Sequence, residues 1–162
     1  MEIKYIENGS GTSANGLTAN GICAGVKASN TTKKDLALIY CDKVCNSAAI
    51  FTKNLVKSDT IYVTKKHLEN GTAQAVVVNS GNANACNPDG YEKAEKMCSL
   101  AADALGIDKN DVIVASTGVI GQPLPIEPIA SGIEKLKGTL SKDGGISAAE
   151  AIMTTDTVKK QG

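Results

Sequence analysis

Short apolar runs separated by turn-forming residues dominate the first 64 positions of the chain. Four of these runs are compatible with β-strands, at residues 22–27, 35–41, 48–52 and 60–64. Asn, Ser, Gly and Lys bound them, and glycines recur between the runs. This pattern predicts an antiparallel or mixed sheet whose strands are joined by tight turns.

The second half of the chain alternates predicted strands and helices. Continuous apolar runs at residues 75–78 and 112–115 predict two buried strands. Between them, apolar residues at helical spacing predict a helix over 92–105, with charged residues on its other face and Gly106 at its end. Strand and helix alternation of this kind indicates an α/β fold.

Two further helices are predicted near the end of the sequence. Isoleucines and a leucine at spacings of three and four predict a helix over 126–136, after a proline-rich loop. Ser147 and Glu150 match a capping box, which predicts a short helix from Ser147 to Met153.

Composition narrows the class of protein. The 162 residues, 42% hydrophobic and 21% charged, fit a single domain over residues 1–162. The seventeen basic residues are all Lys and balance seventeen acidic ones, and aromatics make up 3%, which argues against a nucleic-acid partner. No apolar stretch reaches the roughly 20 residues of a membrane span, and the first six residues (MEIKYI) lack the pattern of a secretion signal. We therefore expect a cytoplasmic protein with no membrane partner.

The cysteines are odd in number and widely spaced, which favours reduced, mostly packing thiols. They are Cys23, Cys41, Cys45, Cys86 and Cys98. Cys41 and Cys45 have a spacing that metal ligands use, but no second close pair completes four ligands, so no metal site is expected. A nucleophilic Cys86 with His67 as its base is an alternative that nothing in the sequence brings together.

Three polar segments follow predicted strands or helices, at residues 79–84, 116–118 and 154–157. Thr117 and Gly118 come directly after a buried strand, where a hydroxyl and an unhindered amide can stabilise a developing oxyanion. On the residues alone, the default interpretation is a tight turn whose Thr bonds its own backbone.

Four segments stand out when they are taken together: residues 19–27 (ANGICAGVK), 76–86 (VVVNSGNANAC), 115–121 (ASTGVIG) and 148–157 (AAEAIMTTDT). In this order and at these distances they resemble the ornithine acetyltransferases, also called glutamate N-acetyltransferases, of arginine biosynthesis. The resemblance spans nearly the whole chain, and the four segments are far more specific as a set than any one alone.

The resemblance implies an α/β fold of the αββα type, with two β-sheets packed face to face between helical layers and completed by a second, β chain. It implies a precursor that cleaves itself, residues 1–162 being the α chain or most of it, in an α2β2 assembly. The N-terminal Thr of the β chain is the implied nucleophile, which takes acetyl from N-acetylornithine and passes it to glutamate. No cofactor is implied, and acetyl-CoA stays open as a second acetyl donor.

The family's functional residues carry over to three positions of this sequence. The oxyanion hole falls on Thr117 and Gly118, and a substrate-binding role falls on Thr154. The competing interpretation of Thr154 is a residue at a helix end that bonds its own backbone. The sequence stops before the family's Gly-rich segment with a substrate-binding Lys and before the Ala-Thr cleavage point, so the nucleophile is expected on the second chain.

Two other functions remain open at this stage. One is a self-processing amidase or aminopeptidase of similar architecture, in which water accepts the acyl group. The other is a non-catalytic binding or scaffold domain, which the lack of a nucleophile in these residues suggests.

Overall fold

This computed structural model describes residues 6, 7 and 9–160. They form a four-stranded mixed sheet and four α-helices, joined by loops. The strands are β1 (Leu17–Ile22), β2 (Leu36–Asn46), β3 (Thr72–Asn79) and β4 (Val112–Ser116). The helices are α1 (Thr60–His67), α2 (Gly90–Leu105), α3 (Ile126–Lys137) and α4 (Gly145–Ala151), with short 3-10 turns at Leu68–Asn70 and Lys109–Asp111. The strand order is β1-β2-β3-β4; β1 and β3 run antiparallel to β2, and β4 runs parallel to β3.

The main core lies between one face of the sheet and helices α1, α2 and α3. Alternate residues of the strands face these helices, because side chains along a strand point to opposite faces. The largest fully buried side chains of this core include Leu36, Leu38, Val77, Met97, Ile129, Ile133 and Leu136. Burying one such side chain contributes about 1.5–3 kcal/mol to the free energy of folding. The packing of the three helices on this face is therefore the main source of the stability of the fold.

Among the residues that the structure describes, helix α4 covers one end of the opposite face of the sheet. Helix α4 packs there on β1 and β2 through small residues, among them Ala19 and Ala37. Gly21 permits the close approach, because a Cβ at this position would collide with the carbonyl of Ser147. Beyond α4, Val76 and Ile113 lie half-buried on the same face.

The periodicity of the second half of the chain predicted its elements correctly. The two apolar runs are β3 and β4, and the predicted helices are α2 and α3. Gly106 ends α2 as expected, with a left-handed φ of 69° and its N–H donating to the carbonyl of Ala102 at 2.8 Å. The predicted α/β class is confirmed.

Three strand predictions in the first half were wrong. Residues 23–27 form a loop after β1, residues 48–52 are irregular, and residues 60–64 begin helix α1. The β-branched residues of α1 suggested a strand, but Thr60, Val63 and Thr64 are buried at helical spacing. Thr64 Oγ1 also donates to the carbonyl of Val114 at 2.8 Å, so tertiary contacts override the strand preference of this segment.

The predicted capping box of the last helix was also wrong. Helix α4 begins at Gly145 with Gly144 as its N-cap, and no side chain caps it. Instead, Ser147 Oγ and Glu150 Oε2 both accept hydrogen bonds from Lys34 Nζ, at 2.9 and 2.8 Å. None of the helices that the structure describes is long and apolar enough to span a membrane. Residues 1–5, on which the argument about a secretion signal depends, lie outside the described residues.

Candidate functional site

The parallel strands β3 and β4 end side by side, with Asn79 opposite Ser116. The buried Asn79 amide fixes the turns that follow both strands. Its Nδ2 donates to Ser116 Oγ at 2.6 Å, and its Oδ1 accepts from the N–H groups of Gly81 and Asn82 at 3.2 and 3.0 Å. The N–H of Thr117 donates to the Asn79 carbonyl at 3.0 Å. One fully buried side chain therefore sets the positions of both turns.

A cleft of about 520 Å³ opens beside these turns. Three parts of the chain line it: the loop between β1 and β2, the turns after β3 and β4, and the segment after α4. Thr117, Gly118 and Thr154, the three residues predicted to form the site, all lie on its wall. The structure thus brings together residues that are up to 37 positions apart in the sequence.

Thr117 and Gly118 present unused hydrogen-bonding groups. Thr117 is half-buried and Gly118 is exposed, and within residues 6–7 and 9–160 neither the Thr117 hydroxyl nor the Gly118 N–H has a hydrogen-bond partner. The interpretation as a simple turn predicts that the Thr117 hydroxyl bonds its own backbone, and this bond is not formed. Two hydrogen-bond donors on consecutive residues beside a cleft are groups of the kind that can stabilise an oxyanion.

Gly118 is required by its backbone conformation and by its neighbours. Its φ is 130°, a region that residues with a side chain rarely adopt. A Cβ at this position would lie 2.8 Å from both the Asn82 nitrogen and the Gly81 carbonyl carbon. A methyl group there would therefore press against the turn after β3.

The segment that carries Thr154 is tied to the rest of the cleft by hydrogen bonds. Ser80 Oγ donates to the carbonyl of Ala151, the last residue of α4, at 2.6 Å. Lys34 also pairs with Glu150, and its hydrogen bond lowers the pKa of the Glu150 carboxyl. Thr154 itself is half-buried, and its hydroxyl makes no hydrogen bond with any described residue.

Lysines in the loop between β1 and β2 also reach the cleft, and sequence reasoning missed them. Asp35, which is only 3% exposed, organises this loop by accepting hydrogen bonds from the N–H groups of Ala24 and Val26 at 2.7 and 2.8 Å. The loop then presents Lys27 and Lys33 on the cleft wall. In the sequence the only trace of this arrangement is an Asp directly before an apolar strand, and the lysines themselves resemble ordinary surface residues.

The alternative site with Cys86 and His67 is not formed. The His67 side chain is fully buried, with Nδ1 2.8 Å from the Val112 carbonyl and Nε2 3.6 Å from Glu95 Oε1. Cys86 is exposed, and no hydrogen bond joins it to His67 in the described part of the chain. Within the same residues, no group of three or more His, Cys, Asp or Glu side chains is placed to hold a metal ion.

The sequence was compared with family models and with known proteins. The model of the ArgJ family matches residues 18–162. This chain belongs to the ArgJ family. It is 50% identical over 146 residues to the arginine biosynthesis bifunctional protein ArgJ of Caldanaerobacter subterraneus, and 48% identical over 151 residues to that of Symbiobacterium thermophilum. The matches cover 90% and 93% of this chain but only 36% and 38% of those relatives, so the chain spans little more than a third of their length.

Two crystal structures of ArgJ-family proteins share the fold. The arginine biosynthesis bifunctional protein ArgJ of Bacillus halodurans superposes with a TM-score of 0.86 at 40% identity, covering 94% of this chain and 80% of that one. The ornithine acetyltransferase of Mycobacterium tuberculosis, solved in complex with ornithine, gives 0.86 at 37% identity, covering 92% and 81%. The predicted resemblance to ornithine acetyltransferases is confirmed at the level of the family and the fold.

Proposed function

We propose that this ArgJ-family chain is the α chain of a glutamate N-acetyltransferase, which transfers acetyl from N-acetylornithine to glutamate in arginine biosynthesis. The observation that carries the proposal is the meeting of Thr117, Gly118 and Thr154 on one cleft at the ends of β3 and β4. The name of the Mycobacterium tuberculosis relative and its bound ornithine support the same substrate class.

In the proposed reaction, the N-terminal Thr of a β chain attacks the acetyl carbonyl carbon of N-acetylornithine. The Thr hydroxyl proton passes to the α-amino group of the same residue, and the negative charge that develops on the acetyl oxygen is stabilised by the Thr117 hydroxyl and the Gly118 N–H. The C–N bond then breaks, and ornithine leaves with the proton. The neutral amino group of glutamate then attacks the carbonyl carbon of the acetyl-threonine, and the ester C–O bond breaks. The amine proton passes by way of the Thr α-amino group to the Thr oxygen, so that N-acetylglutamate leaves and the Thr hydroxyl is restored.

Lys27 and Lys33 supply positive charge to the cleft. N-acetylornithine and glutamate share an α-carboxylate, so a cationic wall suits both the donor and the acceptor. The reaction needs no resident cofactor, because the Thr side chain itself carries the acetyl group. Acetyl-CoA would be an alternative donor that acetylates the same Thr.

The uncovered part of the sheet is an argument for a second chain. Ile39 at the edge of α4, with Val76 and Ile113 beyond it, forms a half-buried apolar face. Removing apolar surface of this kind from water favours the association of two chains. We propose that the β chain of the same precursor adds the second sheet here, giving the αββα sandwich in an α2β2 enzyme of the cytoplasm.

Intact-mass analysis of the complete two-chain enzyme tests the function. With N-acetylornithine alone, the β chain should gain the mass of one acetyl group, and glutamate should remove it and yield N-acetylglutamate. Acetate released at the same rate without glutamate would instead support an amidase. An unmodified β chain under turnover conditions would contradict the covalent mechanism.

A further inference from the structure

Strand β2 is interrupted by a bulge that begins at Cys41 and ends next to Cys45. Its register with β3 shifts between Tyr40 and Cys45, so that residues 41–44 lie opposite Gln74 alone. Extra residues in one strand bend it locally and redirect its side chains. Here the bulge brings Cys45 back over Cys41, with 3.3 Å between their Sγ atoms.

The two thiols differ in exposure. Cys41 is 8% exposed, and its backbone carbonyl accepts a hydrogen bond from Gln74 Nε2 at 3.1 Å, which holds it against β3. Cys45 is exposed and is therefore reachable from solution. The hydrogen bond to Cys41 raises the pKa of the Cys45 thiol, and burial and the charge of Asp42 act in the same direction.

We propose that Cys41 and Cys45 form a reversible intramolecular disulfide when the protein meets a low-molecular-weight disulfide. The Cys45 thiolate, having lost its proton to solvent, attacks one sulfur of the small disulfide and expels the other as a thiolate. The Cys41 thiolate then attacks the Cys45 sulfur, forms the protein S–S bond and expels the second small thiol. Two protein thiols are oxidised, and one small disulfide is reduced to two thiols.

The other cysteines provide internal comparisons. Burial raises the pKa of the Cys98 thiol to about 12, so it is unreactive in the folded protein. Cys86 is exposed, but no hydrogen bond links it to a second thiol among the residues with described positions. A small disulfide should therefore leave Cys98 free and stop at a mixed disulfide on Cys86.

The position of the pair gives the disulfide a structural consequence. A small recess at the bulge is lined by both cysteines together with Ile39, Val76 and Ile113 of the uncovered sheet face. Closing the S–S bond restricts the bulge at the edge of this face. The disulfide does not depend on acetyl transfer, so its test is separate from that of the proposed reaction. Because the recess borders the face on which we propose that the β chain packs, the test also requires that this chain leaves Cys45 reachable in the complete enzyme.

The test uses the complete two-chain enzyme with oxidised glutathione, followed by unfolding in an alkylating reagent that blocks the remaining thiols, and then by trypsin digestion without reductant. Lys43 lies between the two cysteines, so trypsin separates residues 35–43 from 44–53 unless a disulfide joins them. We expect the linked peptide pair to replace both alkylated peptides and to disappear on treatment with dithiothreitol. The thiolate fraction of Cys45 controls the rate of attack. Below the pKa of Cys45, the linked pair should therefore form about ten times faster for each unit by which the pH rises.

Two variants identify the attacking and resolving thiols. Cys41→Ser should leave Cys45 as a lasting glutathione adduct, and Cys45→Ser should leave Cys41 free to be alkylated after unfolding. A lasting adduct on Cys45 in the unsubstituted enzyme, at the level seen on Cys86, would overturn the proposal. So would a link from either cysteine to another peptide, or full alkylation of both under conditions that modify Cys86.

Discussion

The ammonium group of Lys33 donates a hydrogen bond to the backbone carbonyl of Thr154 at 2.8 Å. This bond joins the loop between β1 and β2 to the segment after α4, two parts of the chain that are 121 positions apart. Asn30 supports the same loop, since its Oδ1 accepts from the N–H of Lys33 at 2.9 Å. Lys33 therefore contributes positive charge to the cleft and fixes the backbone that carries Thr154.

Replacing Lys33 by Gln in the complete enzyme should mainly weaken substrate binding. An exposed charge-assisted hydrogen bond contributes on the order of 1 kcal/mol, so KM for N-acetylornithine should rise about three- to tenfold while kcat changes little. Steady-state kinetics with both substrates measure the effect, and Lys53→Gln, an exposed lysine that does not line the cleft, is the matched control. Equal KM values for the two variants would remove Lys33 from the binding site.

Thr117→Ala in the complete enzyme should lower kcat for acetyl transfer by about 10²–10³, the scale for losing one oxyanion donor. Thr117→Ser, which keeps the hydroxyl, should retain much of the activity. Thr52→Ala, at an exposed position in an irregular segment, serves as the control for a lost Thr hydroxyl. Near-normal turnover by the Thr117→Ala enzyme would remove this Thr from the oxyanion hole, and failure of the variant to fold would show that the Thr has a structural role.

Gly118→Ala should destabilise the protein as well as inactivate it, because the new methyl group meets the turn after β3. Gly71 separates the two causes, since its φ is also positive, at 73°, but a Cβ there would have no neighbour within 4 Å. Gly71→Ala should cost about 1 kcal/mol for the backbone alone, and Gly118→Ala should cost clearly more. Urea unfolding of the two variants compares them. Equal midpoints would mean that crowding by Gly81 and Asn82 is relieved at no cost.

Periodicity predicted the elements whose own residues form the core. Residues 75–78 and 112–115 were recognised as strands because each is a continuous apolar run, in which alternate residues enter the main core. Helix α2 shows its buried stripe directly in the sequence. Residues 60–64 were misassigned because β-branched residues favour strands locally, whereas this helix is held by contacts to β4, 50 positions away.

Some residues of the candidate site were predicted from the sequence, and others were found only in the folded structure. Thr117 and Gly118 were found because a polar turn after a buried strand is visible in the sequence, and Thr154 was found through the family resemblance. Lys27 and Lys33 were missed because only the hydrogen bonds that Asp35 accepts turn their loop toward the cleft. Hydrogen bonds that shape a loop in this way leave no periodic pattern of apolar residues in a single sequence.

Glu95 on α2 joins three positively charged or ionisable neighbours beside the core. Lys109 Nζ donates to its carboxylate, and His67 Nε2 lies 3.6 Å and Lys66 Nζ 3.8 Å from Oε1. Burial acts to raise the pKa of the Glu95 carboxyl, but the hydrogen bond and charge of Lys109, with the charges of His67 and Lys66, outweigh it. The pKa therefore lies below the ordinary value of 4.5.

A carboxyl group whose pKa is lowered by folding stabilises the folded state above its unfolded-state pKa and loses that contribution as the pH falls through the folded value. Glu95→Gln should therefore lower the free energy of unfolding at pH 7 by about 1 kcal/mol, and the difference from the unsubstituted protein should shrink below pH 4.5. Urea unfolding from pH 7 to pH 3 measures it, with the exposed Glu134→Gln as the control. A difference that stays constant across this range would mean that Glu95 acts through packing and not through its charge.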